Sequence, residues 1–231
     1  MSQLSQRIIL LVLGSVLMTA CSQTLQRQTC VDLAADVSYC LAPVSQHLLG
    51  AKDLVDSKQA ISATQKVSIQ TQDSQHELLS QLELSGQELT LVGLAPLGQA
   101  LFTLTYDGNQ LISEQSQLLG DQFKAEYLLA IMQLIYWPDA SVNKHLQGAK
   151  MQSYACDAAL CRGLFFANNK AENGTIDSAA GDLPIITIRY NNISENGLNK
   201  NGSNKRELDK WQADVNLNIP AANFKLAISP L

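Results

Sequence analysis

The chain has 231 residues, of which 46% are hydrophobic and 16% charged, with a formal net charge of −5. That is enough apolar material for a substantial core, and length alone sets one domain as the expectation. The acidic residues are dispersed, so the basic footprint of a nucleic-acid-binding protein is excluded.

The first twenty residues read as a leader. Arg7 supplies a positive start, and Ile8 to Met18 is an apolar run. It is shorter than the roughly 20 residues of a spanning helix but suits a signal-peptide core. Leu17-Met18-Thr19-Ala20-Cys21 then resembles the bacterial lipobox, with Met18 where the strongest examples place leucine. The expectation is removal of residues 1–20 and acylation, by groups such as palmitate, at Cys21. The plainer alternative is an ordinary secretory signal followed by a chance cysteine. Ser22 rather than aspartate follows the cysteine, which in Gram-negative lipoproteins points to the outer membrane, on its periplasmic face. Residues 21–42 are expected to form a lipid-anchored tether ending in a cysteine loop, and residues 43–231 the folded domain.

Setting Cys21 aside leaves Cys30, Cys40, Cys156 and Cys161. In an oxidising compartment these read as two disulfides. Three connectivities exist, and local pairing is favoured because each close pair flanks a turn. The spacings are wider than those of zinc sites, and only His47, His76 and His145 are present, so no metal is expected.

Pro43 to Lys52 suggests a short helix with Leu48 and Leu49 inward. From Thr64 the period becomes two. Lys66–Gln70, Leu78–Leu84 and Leu89–Leu94 alternate apolar and polar residues across short polar turns, as an antiparallel meander does. Leu94-Ala95-Pro96-Leu97-Gly98 follows. Taken alone, these residues favour a tight turn with Leu97 folded back on the core over an apolar loop that protrudes. Gln99–Tyr106 and Gln110–Gln117 are two further strands, joined by the hairpin signal Asp107-Gly108-Asn109.

Asp121 is a candidate helix cap. Phe123, Tyr127, Leu128, Ile131, Leu134 and Ile135 follow helical spacing, Leu129 and Met132 widen the stripe, and Lys124, Glu126 and Gln133 form a narrow polar face. Pro138 ends the helix. After a short helical turn or loop at Asn143–Gly148, strands are expected at Lys150–Cys156, Arg162–Asn168, Leu183–Asn191, Ala213–Ile219 and Phe224–Ile228. Two polar stretches, Asn168–Asp182 and Asn192–Lys210, read as surface loops. No G-x-S-x-G elbow, phosphate loop, H-E-x-x-H or dinucleotide fingerprint occurs, and the chain does not read as an enzyme.

From Thr64 onward the order and spacing of several short motifs resemble the LolB family. These are Ala95-Pro96-Leu97-Gly98 after three strands, the Asp107-Gly108-Asn109 hairpin, Ala125-Glu126-Tyr127-Leu128-Leu129 leading to Leu146-Gln147-Gly148, and the closing Phe224-Lys225-Leu226-Ala227-Ile228. LolB is an outer-membrane lipoprotein that receives lipoproteins from the periplasmic carrier LolA; its LolB-like relatives include lipoproteins of aryl polyene gene clusters. The resemblance implies a mainly β fold, an incomplete antiparallel barrel covered by an apolar helix. It implies a hydrophobic cavity for acyl chains, lined by Leu82, Leu84, Leu91, Leu104, Leu128, Ile131, Leu134, Ile135 and Trp137. Acyl chains lack directional chemistry, so such a site needs apolar area, at about 25 cal/mol per Å² buried.

The resemblance also matches Leu97, with Leu94 and Pro96, to a protruding loop that delivers cargo to the inner leaflet of the outer membrane. This reverses the order of the two loop readings. The implied partners are acyl chains or lipidated cargo and a LolA-like carrier, with no cofactor. His145 stands where the family often has an aromatic residue, and the two disulfides are outside its general pattern. The alternative is a non-transporting structural or interaction lipoprotein of the envelope.

Overall fold

A computed structural model describes residues 29–45, 61–119, 124–157, 159–167, 183–193 and 210–231. The leader, Cys21, most of the expected 43–52 helix, Asp121, Phe123, the 168–182 loop and most of the 192–210 loop lie outside these residues.

The alternating segments form strands. After β1 (Cys30–Ala34) and β2 (Val37–Cys40) come β3 (Ile61–Gln70), β4 (Gln75–Ser85), β5 (Glu88–Leu94), β6 (Ala100–Tyr106) and β7 (Leu111–Gln115). Helices α1 (Ala125–Tyr136) and α2 (Asp139–His145) follow, then β8 (Leu146–Gln147), β9 (Ala149–Cys156), β10 (Ala159–Phe166), β11 (Ile186–Asn191), β12 (Asp214–Ile219) and β13 (Phe224–Pro230). Ten strands make one antiparallel sheet in the order β7-β6-β5-β4-β3-β13-β12-β11-β10-β9, and β1-β2-β8 make a second. The large sheet is open, with β7 and β9 as its edges.

The register explains the alternation. Leu82 pairs with Leu91 and Leu91 with Leu104; Val67 pairs with Leu78 and Ile228, and Ile188 with Leu217. These side chains share one face and are buried. The opposite face carries Ser68, Gln70, Glu77, Gln81, Asn216 and Lys225, the polar half of each period-two pattern.

Both disulfides are local, Cys30–Cys40 and Cys156–Cys161. The first closes a hairpin, not a loop on a tether. Val31, Val37, Tyr39, Leu41 and Ala42 are buried in the common core, so the folded body begins before residue 43. The hairpin turn sits against Gly148, where φ is +76° and a Cβ would fall 1.9 Å from the Asp36 carbonyl oxygen. Only glycine suits that combination.

α1 begins after Lys124, whose backbone is extended and supplies no side-chain cap. It ends where expected, and Pro138 then opens α2 earlier than the expected helical turn. Gln133 departs from the expected polar face, because it is fully buried. Its Oε1 accepts from the Ala42 N–H at 2.7 Å and the Tyr39 hydroxyl at 2.8 Å, while its Nε2 donates to the Ala42 carbonyl at 2.9 Å. One amide thus joins helix to hairpin. Gln133→Leu leaves three buried polar groups unpaired, at about 1 to 3 kcal/mol for each such group. A stability loss of about 3 kcal/mol or more in urea denaturation is the expected outcome.

Candidate membrane-facing loop and apolar interior

The β5–β6 connection is short and closed by two hydrogen bonds. The Gly98 N–H donates to the Ala95 carbonyl and the Ala95 N–H to the Gln99 carbonyl, each at 2.8 Å. Pro96 occupies the turn position its fixed φ favours, and Gly98, at φ +85°, takes the left-handed position that returns the chain to β6. Leu97 is therefore held at the apex and is 99% exposed. The turn is tight, but the leucine is not folded back. Leu94 is half-buried at its base and Pro96 is exposed beside the tip. A leucine left in water forgoes about 1.5 to 3 kcal/mol of burial.

The residues expected to line a cavity lie together. Leu82, Leu84, Leu91 and Leu104 project from β4, β5 and β6, and Ile131, Leu134, Ile135 and Trp137 from α1 and its C-terminal end. All eight are buried in one continuous cluster with Leu89, Tyr106 and Leu129, while Leu128 is half-buried at its margin. Two concavities formed by described residues open to solvent elsewhere. One, of about 380 Å³, lies on the outer sheet face by Ser68, Thr187, Arg189, Asn216 and Lys225. The other lies beside the β1–β2 turn at Asp32–Ser38 and Gln147.

Several polar residues of the interior carry no signal in the periodicity. Arg162 is fully buried; its guanidinium donates to the carbonyls of Leu134 and Ile135 at 2.7 and 2.9 Å and pairs with Asp139 at 2.7 Å. The Tyr190 hydroxyl also donates to the Ile135 carbonyl. Gln65 donates to the Tyr136 hydroxyl at 2.8 Å, and Tyr136 stacks on Trp211 with ring centroids 4.0 Å apart. Facing Gln65 across the β3–β4 ladder is Ser80. The Gln65 carbonyl oxygen and the Ser80 hydroxyl have no hydrogen-bond partner among the described residues.

Burial acts on three of the interior tyrosines. Burial, then Asp107, pushes the Tyr106 hydroxyl up to about 12. It donates toward the Leu41 and Gly108 carbonyls at 3.2 and 3.0 Å, fastening the arm that follows β2. Burial also raises Tyr39 and Tyr136 well above the usual value. No three His, Cys, Asp or Glu side chains converge among the described residues as a metal site would need. No helix among them is long and apolar enough to cross a membrane.

A family model described as "Protein of unknown function (DUF3261)" matches residues 62–231. The chain belongs to this family. The DUF3261 match takes in the whole ten-stranded sheet but for the first residue of β3, both helices and β8; the β1–β2 hairpin precedes it. Comparison with curated proteins finds no match. Among solved structures, a LolA superfamily protein from Nitrosomonas europaea is similar with a TM-score of 0.35 and 8% identity, over 83% of this chain and 92% of that one.

His145 lies at the end of α2, where burial, then Lys144, holds its imidazole below the usual 6.5. The folded state therefore binds this proton less readily than the unfolded chain. Its contribution to stability is present above pH 6.5 and is lost as pH falls through the lower folded value. In an NMR titration of the native protein, the His145 ring resonances are expected to move with a midpoint below 6.5.

Proposed function

We propose that this DUF3261 protein is a non-enzymatic lipoprotein of the outer membrane, anchored through Cys21 on the periplasmic face. It takes acyl chains against its apolar sheet face, which α1 covers, and passes lipidated cargo into the membrane. The observation that carries the reading is Leu97, a leucine fixed outward at the apex of a proline-braced turn. An apolar side chain so placed meets a bilayer without any rearrangement of the sheet. Supporting it is the extent of the one-sided apolar sheet, the kind of surface that suits chains without directional chemistry. The cargo class and a LolA-like carrier come from the sequence resemblance, and transfer needs no nucleotide if each acceptor binds more tightly than the last.

A second reading has its own observation. Leu82, Leu91, Leu104, Leu129, Leu134 and Trp137 are all at most 1% exposed and fill the space between sheet and helix. A scaffold lipoprotein that engages partners by its outer surface would be packed in this way. Acyl-chain uptake requires α1 or the β1–β2 hairpin to give way.

Two measurements separate the readings. Leu97→Glu should keep the native fold and lower delivery of an acylated peptide to reconstituted outer-membrane lipid by roughly tenfold or more. Unchanged transfer would remove the loop from the mechanism. Mass spectrometry of the purified protein is expected to find a bound acyl lipid, and an empty protein that also ignores fluorescent acyl probes would leave the scaffold reading.

A further inference from the structure

The antiparallel order places particular chain ends along one rim of the large sheet. At that rim β3 ends and β4 begins, β5 ends and β6 begins, and β12 ends and β13 begins. β10 leaves the sheet there and β11 enters it. Three of the large exposed apolar side chains belong to this rim: Leu97 (99% exposed), Leu183 (88%) and Phe166 (45%). Leu97 caps the β5–β6 turn, Leu183 precedes β11, and Phe166 is the last residue of β10.

We propose that this rim as a whole is a lipid-docking edge, with Leu183 and Phe166 as a second foothold beside Leu97. The inference rests on the membrane role proposed for Leu97 and extends it to residues that no motif singles out. Five strand spacings separate β5 from β11, about 24 Å measured along the sheet. Two footholds that far apart fix an orientation, which a single leucine does not.

The chemistry of the rim's closed turns suits lipid better than protein. The three turns, Thr71–Ser74, Ala95–Gln99 and Pro220–Asn223, carry one charge in all, Asp73. The rim's exposed apolar side chains come from separate strand ends, whereas a stable protein interface wants a continuous patch of roughly 800 Å² per partner. A fluid bilayer conforms to separated side chains and accepts each into its headgroup–acyl boundary. The proposed anchor has the reach to share that plane. The β1–β2 turn abuts Gly148, just before β9 enters at this rim. Cys30 lies one five-residue strand away, about 17 Å. The stretch from Cys21 to Cys30 spans at most about 30 Å when extended.

The test uses the full-length lipidated protein in vesicles of phosphatidylethanolamine and phosphatidylglycerol containing brominated lipid. Single tryptophans are introduced as Leu97→Trp, Leu183→Trp and Phe166→Trp. The control is Leu231→Trp, at the opposite rim, where the Leu231 N–H bonds to the Thr64 carbonyl. Emission above the background of the native tryptophans is expected to shift blue and be quenched at Leu183 and Phe166, as at Leu97, but not at Leu231. Should Phe166→Trp disturb the fold, Leu183 against Leu231 decides alone. Quenching confined to Leu97 would overturn the rim while leaving the delivery loop standing. Quenching at all four sites, or at none, would also overturn it; the peptide-transfer assay still reads the proposed function separately.

Discussion

The arrangement of helix and sheet depends on one buried cation. α1 must stop at Tyr136 because Pro138 offers no N–H to the Leu134 carbonyl, which would otherwise be orphaned in an apolar interior. Arg162 reaches from β10 to supply that missing donor and bonds the Ile135 carbonyl as well. Its charge is favourable at a helix C-terminus and is balanced by Asp139 in the first turn of α2. Proline, arginine and aspartate therefore form a single unit. The proline creates the need, the sheet answers it, and the second helix neutralises the answer. Removing the arginine or the aspartate leaves a buried group unsatisfied, which costs more than the pair contributes while intact.

Gln133 does on one side of α1 what Arg162 does at its end. Its amide is matched to both backbone groups of Ala42, as a neighbouring strand would be. The helix is thus fixed to the large sheet through β10 and to the small sheet through the arm that follows β2. This gives the proposed activity a physical shape. Under that proposal an acyl chain would enter only where those polar fastenings yield, because the apolar side chains between them are buried against one another. The fastenings are directional and few, whereas the apolar contacts are many and indifferent to register. A gate made from the first kind can open without loss of the second.

How much of this was legible in the sequence follows from what periodicity encodes. Leu78 to Leu84 and Leu89 to Leu94 announce a strand and its buried face, since alternation reports burial directly. Gly86, Gly98 and Gly108, all at positive φ, mark their turns, and Pro138 marks the helix end. Alternation does not say which strand lies beside which, so the pairing of β13 with β3 was not readable. Polarity misled at Gln133, where a hydrogen-bonding side chain at helical spacing looks the same whether it faces water or an unpaired backbone. Arg162 sits in a strand whose central residues are buried on both faces, and its partners come from distant segments. The β1–β2 hairpin reads in sequence only as a cysteine-closed loop ending a tether, because its strands are short, although Val37 and Tyr39 do alternate inward. At the loop, residue preferences gave the turn correctly; the direction of Leu97 came from family likeness, and its exposure is a property of the apex.

The seam between β3 and β13 has a further consequence, for the order in which the chain finds its fold. β3 to β7 form a meander of near neighbours, and so do β9 to β13. Within each half every strand pairs with its neighbour in sequence, closely in the first half and across two long connections in the second. Val67 and Ile228, by contrast, meet across nearly the whole folded body, and contacts of that kind form slowly because a long loop must close first. On this ground two half-sheets, each with an uncovered edge, would precede the joined one. While the seam is open, those edges are templates for pairing with other chains. A chaperone-like shield, or rapid docking of α1 across both halves, would have its greatest effect at that step.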